Sequence, residues 1–200
     1  MLPGMTLAGI VLAAGSSTRM GRPKQLLPVR GRPLLEHVVA VACASRLDSV
    51  LVVLGADAEL IRGRVSWRRA VPIVNPDYRA GMSTSLRAGI AALGPEVEGA
   101  VVILGDQLGV SARLLDRLIA AREGSGLQIA ALRLNGLLQP PVLLVRELWG
   151  EVSALRGDVG LRDLIRCRPE LVAAVRPDAG AGDPDDVDTP EDWRHRSGAG

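Results

Sequence analysis

The sequence predicts a single three-layer α/β/α domain with a mainly parallel sheet, and three observations carry that prediction. Short apolar runs alternate with stretches whose apolar residues recur at helical spacing. The runs at 7–12, 49–54 and 100–104 lack polar alternation, as strands buried on both faces do. Loops rich in glycine or carrying aspartate follow those runs, on the side where open α/β sheets hold their ligands. A chain of 200 residues suits one domain with a real core, here spanning about 7–195.

The elements follow in order. Residues 7–12 form the first strand, and 13–28 a loop with two glycines. A helix opens at Pro33 and runs to about Ser45, carrying His37 as a surface or packed residue rather than a catalyst. The Val-rich run 49–54 is the second strand; Gly55-Ala56-Asp57 closes it, with Asp57 placed to cap a helix over 58–65. A short strand at 71–74 leads through the turn signal Asn75-Pro76 to Gly81 and Ser83, which precede a helix reaching about Leu93. The strand 100–104 ends in Gly105-Asp106-Gln107, and Ser111 is the natural cap for a helix over 112–122. Strands are expected at 127–134 and 141–145 with a loop between them, and a final strand at 171–175. Asp158, beside Gly157, is poised to cap a short helix or to touch an acceptor. A Gly-, Pro- and Asp-rich loop over 178–186 precedes a last helix capped by Thr189.

Composition excludes several classes. A net charge of +2 with no Lys/Arg block gives no nucleic-acid footprint. The densest basic cluster, Arg62, Arg64, Arg68 and Arg69, reads as a solvated helix end. Cys43 and Cys167 have neither metal nor redox spacing, which fits a reducing, cytoplasmic setting. No apolar run has membrane-spanning length, and the apolar start lacks the cationic segment of a signal peptide.

The chemistry gathers in the loop Leu12-Ala13-Ala14-Gly15-Ser16-Ser17-Thr18-Arg19-Met20-Gly21-Arg22-Pro23-Lys24. Small residues let a backbone fold tightly with its N–H groups turned to an anion, and Arg19 and Lys24 can neutralise phosphate oxygens. The helix start near Gly81 and Ser83 offers free N–H groups and partial positive charge. Asp106, at the carboxyl end of an internal strand, is the first candidate Mg²⁺ ligand. In Asp186-Val187-Asp188, extended backbone points both carboxylates to one side, which also suits a hard cation. His195 sits in a polar tail and carries no role. A phosphate loop with cations, carboxylates and a helix start are the parts that phosphoryl-type transfer needs.

The pattern L-A-A-G-x-S-x-R-M-G-x-x-K-x-L-L resembles the MobA-like nucleotidyltransferases, closest to their molybdenum cofactor cytidylyltransferase branch. Three more segments carry the likeness: Asn75-Pro76-Asp77-Tyr78 with Gly81-Met82 and Ser85-Leu86, Gly157-Asp158 with Gly160 and Arg162, and Asp186-Val187-Asp188-Thr189-Pro190-Glu191-Asp192-Trp193. It spans Ile10 to Trp193 and departs at Leu108, where the family has proline, and at Gln139-Pro140, where it has Gly-His on the acceptor side. The resemblance implies a Rossmann-like sheet of the nucleotide-diphospho-sugar transferase type. It implies transfer of CMP from CTP to the phosphate of molybdenum-molybdopterin, with Mg²⁺ and with a molybdoenzyme or its chaperone as recipient. Ala14 favours CTP, because the guanylyl-transferring branch reads L-A-G-G.

The residues so implicated are Arg19, Lys24 and Asp106 for catalysis, and Asp106 with Asp186 or Asp188 for metal. Leu12, Ala13, Ala14, Gly15, Ser16, Ser17, Arg19, Lys24, Gly55, Asn75, Gly81, Met82 and Ser85 are implicated in binding the nucleotide. Three other readings stay open: a sugar- or polyol-phosphate acceptor, a non-catalytic accessory protein of molybdoenzyme maturation, and an oxidoreductase on the same scaffold.

Overall fold

The computed structural model describes residues 5–17 and 21–177. Nine strands are described: β1 (Leu7–Ala13), β2 (Pro28–Val29), β3 (Arg32–Pro33), β4 (Ser49–Leu54), β5 (Val71–Val74), β6 (Gly99–Leu104), β7 (Ile129–Leu134), β8 (Leu137–Val145) and β9 (Val172–Val175). Six α-helices accompany them: α1 (Leu34–Ala44), α2 (Ala58–Arg62), α3 (Met82–Ala91), α4 (Ala112–Ser125), α5 (Trp149–Ala154) and α6 (Leu161–Cys167). Seven of the strands form one sheet in the order β5-β4-β1-β6-β8-β7-β9. β1 lies between β4 and β6, parallel to both, and β5 extends the parallel half. β8 is antiparallel to β6 and β7, and β9 returns parallel to β7.

Side chains of β1 alternate between two cores, which is why no polar position interrupts it. Leu7, Val11 and Ala13 join residues of α1 and α4 such as Leu35, Val39, Leu115 and Leu118. Ala8 and Ile10 join Leu86 and Ile90 of α3, Val152 of α5 and Leu164 of α6 on the opposite face. The predicted three layers are therefore observed, with a seven-stranded, mostly parallel sheet in the middle.

Several local expectations need correction. The expected loop after β7 is a tight hairpin: Asn135 (φ 50°) and Gly136 (φ 81°) make the left-handed two-residue turn that strand twist favours. β8 therefore starts at Leu137, and Gln139 pairs with Leu132. A second hairpin, β2–β3, turns through Arg30 and Gly31, both at positive φ. α5 was not expected at all; its Trp149 is buried with the Arg146 guanidinium 4.4 Å from the ring centroid. Asp57 adopts a left-handed conformation (φ 53°) and its side chain caps nothing, and α2 ends at Arg62. Ser111 does cap α4, its Oγ accepting the Leu114 N–H at 3.1 Å. His37 is a packed residue, its Nε2 2.7 Å from the Val29 carbonyl. Arg69 is exposed, as expected, and also donates to the carbonyls of Cys43, Leu47 and Asp48.

Candidate active site

The chain order and the sheet order together locate the cleft. From β1 the chain moves outward to β4 and β5, then returns to β6 on the other side of β1. The loops leaving β1 and β6 therefore open side by side at one edge of the sheet; α1 and α4, which follow them, pack on one face, α3 packs on the other, and a crevice opens at the carboxyl ends of the two strands. A cleft of about 760 Å³ lies there. Leu12, Ala13, Ala14, Gly15, Ser16 and Lys24 line it from the β1 side, Asp106 from the β6 side, and Gly81, Met82 and Ser85 from the start of α3.

The loop after β1 is braced from inside by Gln25, which is 3% exposed. Its Nε2 donates to the carbonyls of Ala13 at 2.9 Å and Gly15 at 3.0 Å. The Ala14 carbonyl accepts from the Ala56 N–H at 3.2 Å. Among the described residues, no backbone carbonyl accepts from the N–H groups of Gly15 or Ser16. That is the wiring an anion-binding loop requires: carbonyls consumed, donors available. Ser17 does not line the cleft; its Oγ accepts the Lys24 N–H at 3.0 Å and so anchors the lysine's backbone.

Lys24 and Asp106, remote in sequence, form an ion pair across the crevice. Their side chains are 21% and 12% exposed, so the pair is partly desolvated. Asp158 places a second carboxylate on the cleft wall. Among the described residues no three His, Cys, Asp or Glu side chains form a closed metal cage. One or two carboxylates on an open cleft match how Mg²⁺ is commonly held, the remaining ligands being water and substrate phosphate. The oxygen donors thus fit a hard divalent cation.

The α3 end is built differently from the expectation. Asp158 does not cap α6, whose N-cap is Gly160; its Oδ1 accepts the Met82 N–H at 3.4 Å, at the start of α3. The Gly157 carbonyl accepts the Ser83 N–H at 3.1 Å. The loop 156–160 thus closes over the helix start, and Gly81 (φ 107°) makes that contact possible, since a Cβ there would fall 2.3 Å from the Gly157 carbonyl carbon. Asn75 is buried beneath the cleft; its amide donates to Thr84 Oγ1 at 2.8 Å and Ser85 Oγ at 3.1 Å, so it positions Ser85. Gly55 also acts from below, a Cβ there falling 2.6 Å from Tyr78 Cβ.

Sequence reasoning missed Gln25, Tyr78 and Arg79 as cleft residues. Tyr78 and Arg79 stood inside the matched Asn75–Met82 segment, and a lone amide ahead of Leu26-Leu27 was the signal for Gln25. Arg19, Asp186 and Asp188 lie outside the described residues.

Residues 9–175 match the MobA-like NTP transferase domain. The chain belongs to that family. It is thus a nucleotidyltransferase by membership, and its MobA-like fold recurs in solved relatives. The Mycobacterium tuberculosis H37Rv protein Rv0371c, solved in complex with manganese, superposes with a TM-score of 0.83 at 32% identity, covering 98% of this chain and 100% of that one. A Paenarthrobacter nicotinovorans protein named nicotine blue oxidoreductase is 34% identical over 200 residues, 95% of each chain. Purine catabolism protein PucB of Bacillus subtilis (strain 168) is 31% identical over 195 residues, 94% of each. A 2-C-methyl-D-erythritol 4-phosphate cytidylyltransferase from Azoarcus sp. (strain BH72) is 45% identical over 93 residues, covering 44% of this chain and 39% of its own. Among the described residues of this MobA-like chain, no helix is long and apolar enough to cross a membrane.

Proposed function

We infer that this protein transfers CMP from CTP to the phosphate of a molybdenum-bearing molybdopterin in the cytoplasm, releasing pyrophosphate. The observation that carries the reading is the meeting of Lys24 and Asp106 over the braced Leu12–Ser16 loop at the switch point of the sheet. CTP is favoured by Ala14 in the L-A-A-G signature, and the acceptor by the family likeness.

In this reading the Gly15 and Ser16 N–H groups and the Lys24 ammonium hold the triphosphate, and Arg19 adds a second cation. The start of α3, with Ser85 held by Asn75, receives the nucleoside end. An oxygen of the acceptor phosphate attacks the α-phosphorus, the bond to the bridging α–β oxygen breaks, and pyrophosphate leaves with that electron pair. The acceptor phosphate is already ionised, so no strong general base is required. Mg²⁺ held by Asp106, with Asp186 or Asp188, would supply charge neutralisation at the phosphate oxygens. Lys24 withdraws charge from the leaving phosphates, and the fixed backbone donors do so without reorganising.

A sugar- or polyol-phosphate acceptor is the second reading. Gln139, where the family has glycine, accepts from Arg162 Nη2 at 3.5 Å on the acceptor side. CTP labelled in its α-phosphate, divalent metal and a panel of acceptors separate these. Label on the pterin alone sustains the first reading, and label on methylerythritol phosphate or a sugar phosphate replaces it with the second. Bound CTP without turnover on any acceptor makes the protein an accessory factor. Nicotinamide- or flavin-dependent reduction without nucleotidyl transfer supports the oxidoreductase reading that one relative's name suggests.

A further inference from the structure

We propose that Lys24 occupies Asp106 as a resident counter-ion, so that the divalent cation gains this carboxylate only when a triphosphate draws the lysine away. The inference rests on the nucleotidyl-transfer reading and deepens it: it states how metal and nucleotide binding are coupled.

Three observations lead to it. The Lys24 ammonium pairs directly with Asp106 Oδ2, the same carboxylate that the cleft offers to a cation. Both side chains are largely withdrawn from water, at 21% and 12% exposure, so the bare carboxylate would be a costly state and a positive partner is strongly preferred. The lysine's main chain is also pinned. Its N–H donates to Ser17 Oγ at 3.0 Å, and the next residue, Gln25, is tied to the Ala13 and Gly15 carbonyls. Any exchange of partners therefore falls to the flexible four-carbon stem, which lies along the cleft that the phosphates would enter.

The consequence is a swap of charges. Without nucleotide, ammonium and divalent cation compete for one carboxylate. With a triphosphate in the braced loop, the ammonium moves to phosphate oxygens and Asp106 is released to the cation. Part of the coupling between metal and nucleotide then resides in Lys24, and by linkage it is reciprocal. A lysine that only bound phosphate would leave metal affinity in the nucleotide-free protein untouched.

Free Mn²⁺, read by its electron paramagnetic resonance signal during titration of the full chain without nucleotide, tests this independently of turnover. Lys24→Gln is expected to tighten Mn²⁺ binding about tenfold over the wild type, within the usual range of coupling energies. Asp106→Asn is expected to weaken it. Arg79→Gln, which removes another cation from the cleft wall without touching the pair, is expected to change it less than twofold. Lys24→Met repeats the comparison should the Gln variant melt early. The titration is then run with the α,β-methylene analogue of CTP, a protein-free blank correcting for its own Mn²⁺ complex. The analogue should tighten Mn²⁺ binding more in the wild type than in Lys24→Gln.

Equal nucleotide-free affinity for Mn²⁺ in wild type and both Lys24 variants overturns the proposal. So does a gain in Arg79→Gln matching that in Lys24→Gln, which would reduce the effect to general charge. A wild type that tightens its Mn²⁺ in no measure with the analogue, and binds none of it, overturns instead the nucleotidyl-transfer reading, because the nucleotide-free comparison stands apart from it.

Discussion

Replacing Gln25 by methionine tests the brace under the loop that follows β1. Methionine nearly matches the volume of glutamine, so little cavity forms and the change isolates the hydrogen bonds. Two amide-to-carbonyl bonds are lost, at 2.9 Å to Ala13 and 3.0 Å to Gly15. Each is worth about 1 kcal/mol net. The Ala13 carbonyl belongs to a residue 5% exposed and has poor access to replacement water, which adds a desolvation cost of about 1 kcal/mol. Gly15 is exposed, so its carbonyl recovers a water partner at little cost. The sum is a loss of about 2–3 kcal/mol, measured as a lower urea midpoint at unchanged slope. Affinity for a CTP analogue should fall at least about tenfold, because the loop must then be ordered at the expense of binding energy. A stability change below about 0.5 kcal/mol with unchanged nucleotide affinity would show that Gln25 shapes nothing.

Three further outcomes are expected. Lys24→Ala weakens CTP binding by about 10- to 150-fold in calorimetric titration, the equivalent of a charge-assisted bond of about 1.5–3 kcal/mol; unchanged affinity removes the lysine from the phosphate site. Asp106→Asn abolishes metal-dependent release of pyrophosphate while the thermal melt stays cooperative, and full activity would place the cation on other carboxylates. Gly81→Ala combines a forbidden φ of 107° with a Cβ 2.3 Å from Gly157, so a loss of about 2 kcal/mol or more is expected in chemical unfolding, and a wild-type curve would contradict the described contact.

Much of this protein was legible without coordinates because its signals are local. Alternation of apolar runs marked the strands, Ser111 announced α4, and the Gly/Ser loop with Lys24 marked a stretch that lines the cleft. The Asn135-Gly136 pair also carried its hairpin openly, although the longer run of turn-like residues around it read as a loop. Helix α5 had weaker local evidence; six residues give too few turns for periodicity to show.

What tertiary structure alone decided is which distant residues meet. Lys24 and Asp106 come together because β6 returns to lie beside β1 and parallel to it, so the loops after β1 and β6 open on one crevice. The same packing gave Asp158 to the start of α3 rather than to its own helix, and turned Gln25 from a polar neighbour of two leucines into the support of the loop. Residue order encodes the period and punctuation of each segment, since those depend on neighbours a few positions away. Partnership across the cleft depends on strand order and helix placement, which only the assembled cores on both faces of the sheet determine.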